Sequence, residues 1–344
     1  MTTPLKGIFF DVDDTLYSTS EFSELARSQA LDSMIQAGLA LDVTRRQKVG
    51  FISHAHADHI ARHEMALCTA ATGKLYNHRL GPLRRTMELP YRDPKEFGPL
   101  TLTTYPAGHC LGSAMLLADD GKKRLLFTGD FKLGPSATCE AAELPRADIL
   151  VMESTFGKPK YRLPPREEVI AELVELVLQT LAEGRTPVIH AYALGKAQEV
   201  TRLLTLAGIP VQQHPDTFAV SKVYLECGMD LGNVTEFGGK LKPGHAVVTL
   251  PKGMKNFRIS GIRDPVSFAV TGWAIDESAK YRYGVDYALP LSDHADFDQL
   301  LETVERVGAS EIYCTHGPAD FVAHLRAAGY NAHPVTGSYQ MRMF

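Results

Sequence analysis

Apolar residues in this chain come in short runs that stop at polar or glycine-containing turns, and their rhythm changes along the sequence. Val49-Gly50-Phe51-Ile52-Ser53 reads as a short buried strand, and Leu100-Thr101-Leu102-Thr103-Thr104-Tyr105 is rich in β-branched residues and opens with apolar and hydroxyl side chains in alternation. Arg124-Leu125-Leu126-Phe127-Thr128 and Glu311-Ile312-Tyr313-Cys314-Thr315 are two more such runs. Between residues 157 and 290 the rhythm becomes one of helices alternating with strands. Residues 166–183 carry Val169, Leu173, Leu176, Val177 and Leu181 at helical spacing. A strand at Thr186-Pro187-Val188-Ile189-His190, a helix over 195–207 and a strand at Pro210-Val211 follow. Strand, helix, strand is the order of a parallel βαβ unit, so the pattern predicts an α/β unit inserted into a strand-rich one.

The polar residues that end the strands carry the chemistry. His54-Ala55-His56-Ala57-Asp58-His59 sits on the turn after the first run, and three imidazoles and a carboxylate this close can ligate two metal ions. His54 and His56, two apart, can point into one pocket, while Asp58 and His59 swing to a second position. Further on, Pro106-Ala107-Gly108-His109 supplies an imidazole able to complete the first site, Gly129-Asp130 a carboxylate able to bridge two cations, and His316-Gly317 one more imidazole.

Composition narrows the setting. A length of 344 residues suggests two domains or one with a large insertion, and 44% hydrophobic with 22% charged residues is ordinary for a globular protein. A formal charge of −4 excludes a wholesale basic coat for nucleic acid but not a local basic groove. Five cysteines without any CxxC spacing argue against a disulfide framework and fit a reducing, cytoplasmic location. No apolar stretch approaches the roughly 18 to 20 residues of a membrane helix, and the N-terminus lacks the features of a signal peptide.

Taken in order, these motifs resemble the metallo-β-lactamase superfamily and its β-CASP nuclease branch over about residues 39–337. Asp42 matches the first motif, HxHxDH the second, His109 the third and Asp130 the fourth; Glu153 in Glu153-Ser154-Thr155, His294 in Ser292-Asp293-His294 and His316 match the β-CASP additions. Finer features, Ala193-Leu194-Gly195-Lys196-Ala197-Gln198-Glu199 and Thr271-Gly272-Trp273, resemble the bacterial ligase-associated DNA exonuclease group, whose members are also described as messenger-RNA 3′-end processing exonucleases. The resemblance implies a metallo-β-lactamase αββα sandwich, residues 39–156 and 291–344, with an inserted α/β β-CASP domain over 157–290.

It also implies roles. One metal would be held by His54, His56 and His109, a second by Asp58, His59 and His316, with Asp130 bridging and Asp42 orienting ligand imidazoles. Zinc suits the imidazoles, and the carboxylates also admit manganese. His294 would protonate the leaving 3′-oxygen with Glu153 orienting its ring, and Asp58 would share in catalysis. Ser292, Gly195 and Lys196 are candidate substrate contacts, since a helix N-terminus beside a lysine suits a phosphate, although an ordinary helix cap would look the same. Basic clusters at Lys158-Lys160-Arg162, Lys252-Lys255-Arg258, Lys280-Arg282 and Arg84-Arg85 are either phosphate contacts or solvated faces, and His190, His214 and His245 read as structural.

The expected function is a metal-dependent DNA exonuclease in repair, with a DNA ligase and a helicase as partners implied by the resemblance. A ribonuclease acting at RNA 3′ ends uses the same motifs. A catalytically silent binding subunit would show eroded ligand positions, and here each is filled; a small-molecule hydrolase would lack Glu153, His294 and the insertion. Residues 1–38 depart from the pattern. Gly7-Ile8-Phe9-Phe10-Asp11-Val12-Asp13-Asp14-Thr15 resembles the nucleophile motif of haloacid-dehalogenase-type phosphatases, with Asp11 as nucleophile and Asp13 as acid/base, followed by an amphipathic helix over 21–37. So short a segment cannot supply that whole fold, so it is read as a truncated, non-catalytic remnant whose strand at 7–10 adds to the sheet.

Overall fold

The computed structural model describes residues 38–254, 261–262 and 264–335. The phosphatase-like motif with Asp11 and Asp13, the helix expected at 21–37, and Lys255 and Arg258 lie outside the described residues. The described residues divide into two compact units, one formed by 38–135 with 140–160 and 294–335, the other by those of 136–139 and 161–293.

In the first unit, two sheets face each other. One is wholly parallel and ordered Leu39–Leu41, Val49–Phe51, Met65–Cys68, Thr86–Glu88. The other has seven strands, ordered Ala332–Pro334, Glu311–Thr315, Ile149–Glu153, Arg124–Phe127, Ala114–Asp119, Leu100–Pro106 and Lys95–Phe97. Alternation along these strands decides what each face meets. Leu100 and Leu102, Leu116 and Ala118, Leu125 and Phe127, and Ile149 and Val151 pack onto Leu39, Leu41, Phe51 and Leu67 of the parallel sheet. Phe51 and Phe127 meet edge to face, with centroids 6.4 Å apart.

The opposite faces bury helices. Met115, Leu126, Leu150, Met152, Ile312 and Cys314 pack with Phe297, Leu300 and Val304 of helix Phe297–Val307 and with Phe321 and Leu325 of helix Ala319–Ala327. On the parallel sheet, Ile52, Ala66 and Cys68 pack against Tyr76 of helix Ala70–Leu80. Each such side chain contributes roughly 1.5–3 kcal/mol by leaving water. The layering is therefore helix, sheet, sheet, helix.

The second unit holds a six-stranded, wholly parallel sheet ordered Val234–Glu236, Val211–Gln213, Ala246–Thr249, Thr186–His190, Pro265–Val270 and Tyr287–Leu289. Val169, Leu173 and Val177 of helix Arg166–Ala182, and Val200 and Leu204 of helix Lys196–Leu206, cover it. The strands at 186–190 and 211–213 are parallel members of one sheet as the βαβ pattern predicts, but Ala246–Thr249 lies between them, a pairing that periodicity does not encode.

His63, just before strand Met65–Cys68, is buried with Nδ1 accepting from the Gln47 N–H at 3.1 Å and Nε2 meeting no hydrogen-bond partner. Burial pushes its pKa down to about 4, against the partial opposition of Asp42. The folded protein thus keeps this imidazole neutral while the unfolded chain protonates it near 6.5. Its contribution is fully present above pH 6.5 and is lost as the pH falls from there toward 4. In urea titrations the stability advantage of the wild type over H63Q should therefore shrink across that interval; a constant difference would contradict the assignment.

Candidate metal centre

Six segments bring their carboxy-terminal ends to one edge of the first unit. Asp42 follows strand Leu39–Leu41 in a left-handed conformation, φ 46°, that aspartate tolerates better than most side chains. Its carboxylate is 3% exposed, and its Oδ1 accepts from the Ser53 N–H at 2.6 Å. The other oxygen takes the Ser53 hydroxyl in a short bond and lies 3.0 Å from His59 Nδ1. The Ser53 Oγ also sits 2.9 Å from His54 Nδ1. Both imidazoles are thus held by Nδ1, leaving Nε2 to face the pocket.

That pocket is small and crowded. His54 Nε2 lies 3.0 Å from His56 Nδ1, and His109 Nε2 lies 3.1 Å from the same atom. Asp130 Oδ2 is 3.2 Å from His59 Nε2, 3.5 Å from His54 Nε2 and 4.0 Å from His109 Nε2. Tetrahedral zinc with nitrogen ligands at about 2.0–2.1 Å places those ligands roughly 3.3–3.4 Å apart. The set His54, His56, His109 and Asp130, all within 4.8 Å of one another, therefore has the spacing that an ion of this kind requires.

The electrostatics agree with that fit. Burial, then the imidazoles of His59, His109 and His56, push His54 well below its ordinary pKa, so it is neutral and its lone pair is free. Burial acts to raise Asp130, but His59 and His294 outweigh it and hold the carboxylate ionised, far below the usual range. For His59 burial acts downward and is overcome by Asp130, Asp42 and Asp58, which raise it. An ionised Asp130 beside the neutral His54 imidazole suits a cation.

Asp58 and His316 stand farther out. Asp58 lies in the single turn Ala57–His59, its Oδ2 3.8 Å from His59 Nε2. The His316 ring centroid is 5.3 Å from that of His59. His316 follows strand Glu311–Thr315 at φ 48°, and Gly317 beside it leaves no room for a Cβ, which would strike the Ser154 carbonyl. Gly129 is similarly required, since φ 54° and the close Ser53 side chain exclude a larger residue before Asp130.

His294 abuts the cluster, its ring centroid 4.7 Å from that of His109. Its Nδ1 is 3.0 Å from both Glu153 oxygens, while Glu153 accepts from the Phe131 N–H at 2.8 Å and from the Thr155 hydroxyl at 2.5 Å. Next to it, the Ala295 N–H donates to the Phe131 carbonyl at 2.6 Å, and Asp296 caps helix Phe297–Val307. The histidine is fixed from both sides.

Gly195 and Lys196 open their helix in a closed setting. The helix N-terminus there is closed by its own Gln198, whose Oε1 accepts from the Gly195 N–H at 2.8 Å. The Lys196 side chain is 1% exposed, with Nζ 3.5 Å from both Glu199 Oε2 and Asp293 Oδ1. Glu199 also takes Arg166 at 2.5 Å and Ser136 at 2.9 Å. This ammonium faces two buried carboxylates at ion-pair distance and meets no hydrogen-bond partner among the described residues. Ser292 is likewise buried. Among the basic clusters, Lys158 pairs with Asp320 at 2.9 Å and Arg282 with Asp276 at 3.6 Å. Conversely, Ser53 and Arg79, whose guanidinium donates to the Ala55 carbonyl at 3.0 Å, hold the site but carry no motif that marks them in the sequence.

No helix among the described residues is long and apolar enough to cross a membrane. No family model matches the chain. It is 37% identical over 90% of its length to a protein of Opitutus terrae named "Probable DNA ligase", covering 31% of that protein. It is 40% identical over 36% of its length to the "Transcription termination factor FttA" of Pyrococcus abyssi, covering 20% of it. An "RNase J-like protein" of Methanocaldococcus jannaschii is 26% identical over 51% of the chain and 49% of its own length. The chain thus spans about half or less of the curated relatives it matches. The histidine and aspartate cluster at the edge of a helix–sheet–sheet–helix sandwich, the parallel α/β insertion and these relatives agree at the level of family with the resemblance to the β-CASP branch of the metallo-β-lactamase superfamily.

Proposed function

We infer that the protein is a metal-dependent nuclease that hydrolyses phosphodiester bonds in DNA from an end. The observation that carries this is the buried pair His294 and Glu153 beside the cluster of His54, His56, His109 and Asp130. His54, His56 and His109 would hold one cation, Asp58, His59 and His316 a second, and Asp130 both. Two such ions, zinc or manganese, would acidify a water and neutralise charge building up at phosphorus.

The chain's own groups do the rest. Glu153 accepts the Nδ1–H of His294, which fixes the tautomer and leaves Nε2 to carry the proton delivered to the departing 3′-oxygen. The Phe131 N–H and the Thr155 hydroxyl hold Glu153, so the ring cannot turn away without breaking buried hydrogen bonds. Asp42 and Ser53 set the His54 and His59 rings in the same manner. The products would carry 5′-phosphate and 3′-hydroxyl ends.

The match to nearly the whole chain within a protein named as a DNA ligase supports DNA as substrate and repair as setting, with a ligase as working partner. The shorter match to an RNase J-like protein supports the second reading, a ribonuclease processing RNA 3′ ends. End-labelled single- and double-stranded DNA and matched RNA, incubated with zinc or manganese, separate the two: shortening of DNA is expected, and shortening of RNA alone would replace the first reading with the second.

Chelation should abolish cleavage, and reloading with zinc or manganese should restore it. H294A should keep its metal content by elemental analysis while turnover falls by about 10²- to 10⁴-fold, the usual worth of a general acid. Loss of metal in that variant would make His294 a ligand instead.

A further inference from the structure

Trp273, the single tryptophan of the chain, follows strand Pro265–Val270 at the carboxy-terminal edge of the parallel sheet in the second unit. That strand lies beside Thr186–His190. Chain leaving Thr186–His190 runs through helix Lys196–Leu206 to strand Val211–Gln213, toward one edge of the sheet, whereas chain leaving Pro265–Val270 runs to Tyr287–Leu289 at the opposite edge. Open parallel sheets take their ligands at the carboxyl ends of neighbouring strands whose continuations part in this way. Residues 271–273 stand at that point of this sheet.

The side chains gathered there are aromatic and basic. The partly buried Trp273 indole meets the Tyr161 ring edge to face, centroids 5.4 Å apart, and the Trp273 carbonyl accepts from the Arg282 guanidinium at 2.8 Å. Arg282 lies in the short helix Ala279–Tyr283, where its guanidinium sits 5.4 Å from the centre of the Tyr283 ring and Lys280 Nζ sits 5.1 Å from the centre of the Tyr281 ring. Tyr281 is 78% exposed, the most open aromatic ring among the described residues.

Residues 160–162 and 271–283 together hold four basic side chains, Lys160, Arg162, Lys280 and Arg282, against two acidic ones, Asp276 and Glu277, so the local balance is positive in a chain whose formal charge is −4. Asp276 pairs with Arg282 at 3.6 Å, but both side chains are about half exposed, so solvent screens the pair and a phosphate can compete for the guanidinium. Open rings interleaved with cations are the make-up of surfaces that carry single strands, where bases stack on the rings and cations meet the phosphates.

We propose that Trp273 and Tyr281 form a stacking platform for a single strand of DNA, with Lys280 and Arg282 meeting its phosphates. Every base offers a π face, so the platform holds a strand of any sequence. This deepens the nuclease reading above and rests on it for the choice of DNA.

The lone tryptophan gives a direct readout. A phosphorothioate-linked oligothymidylate, which resists cleavage, should quench the fluorescence of the metal-loaded protein as its bases stack on the indole. In Y281A its dissociation constant, followed by anisotropy of a labelled copy, should rise about tenfold, the size of one lost contact between base and ring, and Y281F should bind as the wild type does. Absence of quenching at saturation, equal affinity in Y281A, or failure to bind would each overturn the platform; a protein partner or a second copy covering this face predicts the same absence of quenching. Quenching by the matched RNA alone would overturn DNA as the occupant. Quenching and weakened binding in Y281A, without shortening of any unmodified DNA, would keep the platform and refute the exonuclease reading.

Discussion

The buried carboxylate of Asp42 is the constraint on which the rest of the site depends. A carboxylate inside an apolar sandwich is tolerated only when its oxygens are hydrogen-bonded. Asp42 meets that requirement with the Ser53 N–H, the Ser53 hydroxyl and the His59 ring, all from the one turn that carries the metal-facing histidines. The need to satisfy one charge therefore fixes the path of residues 53–59. Because Ser53 also reaches His54, two imidazoles are oriented through one aspartate. The turn is consequently rigid before any cation arrives, and little ordering remains to oppose binding.

Glu153 repeats this logic beside His294. It lies at the end of strand Ile149–Glu153, in register with Thr315, and so shares an edge with His316. Its two bonds from Phe131 and Thr155 point its oxygens at His294. In both places an acidic residue at a strand end, buried and saturated, orients a histidine supplied by another segment. That division lets distant stretches of sequence build one pocket, since strands of a common sheet bring their ends into line whatever their separation along the chain.

This also explains what was legible beforehand. Strands and the helix at 166–182 follow from periodicity, and the residues of the histidine and aspartate cluster are visible because histidines at strand ends have few other reasons to cluster. Strand order is not, as the interposed Ala246–Thr249 shows, because pairing depends on contacts that local pattern does not record. Lys196 misleads for a related reason. A lysine at a helix start looks like a phosphate contact until Glu199 and Asp293 are seen to enclose it. Arg79 is invisible in sequence because its role is a bond to a backbone carbonyl.

Net charge is a poor guide to what such a molecule can bind. At physiological salt a charge acts over roughly 8 Å, so a strand at the metal cleft responds to the nearest side chains and hardly to the sum over the surface. In a chain with 40 acidic and 36 basic residues, the stretch 65–87, 23 residues without a carboxylate, is a local departure from the average. Of its basic residues, Arg79 donates to the Ala55 carbonyl, inside the turn that carries His54 and His56. A negative sum over the surface therefore does not by itself exclude a local basic region.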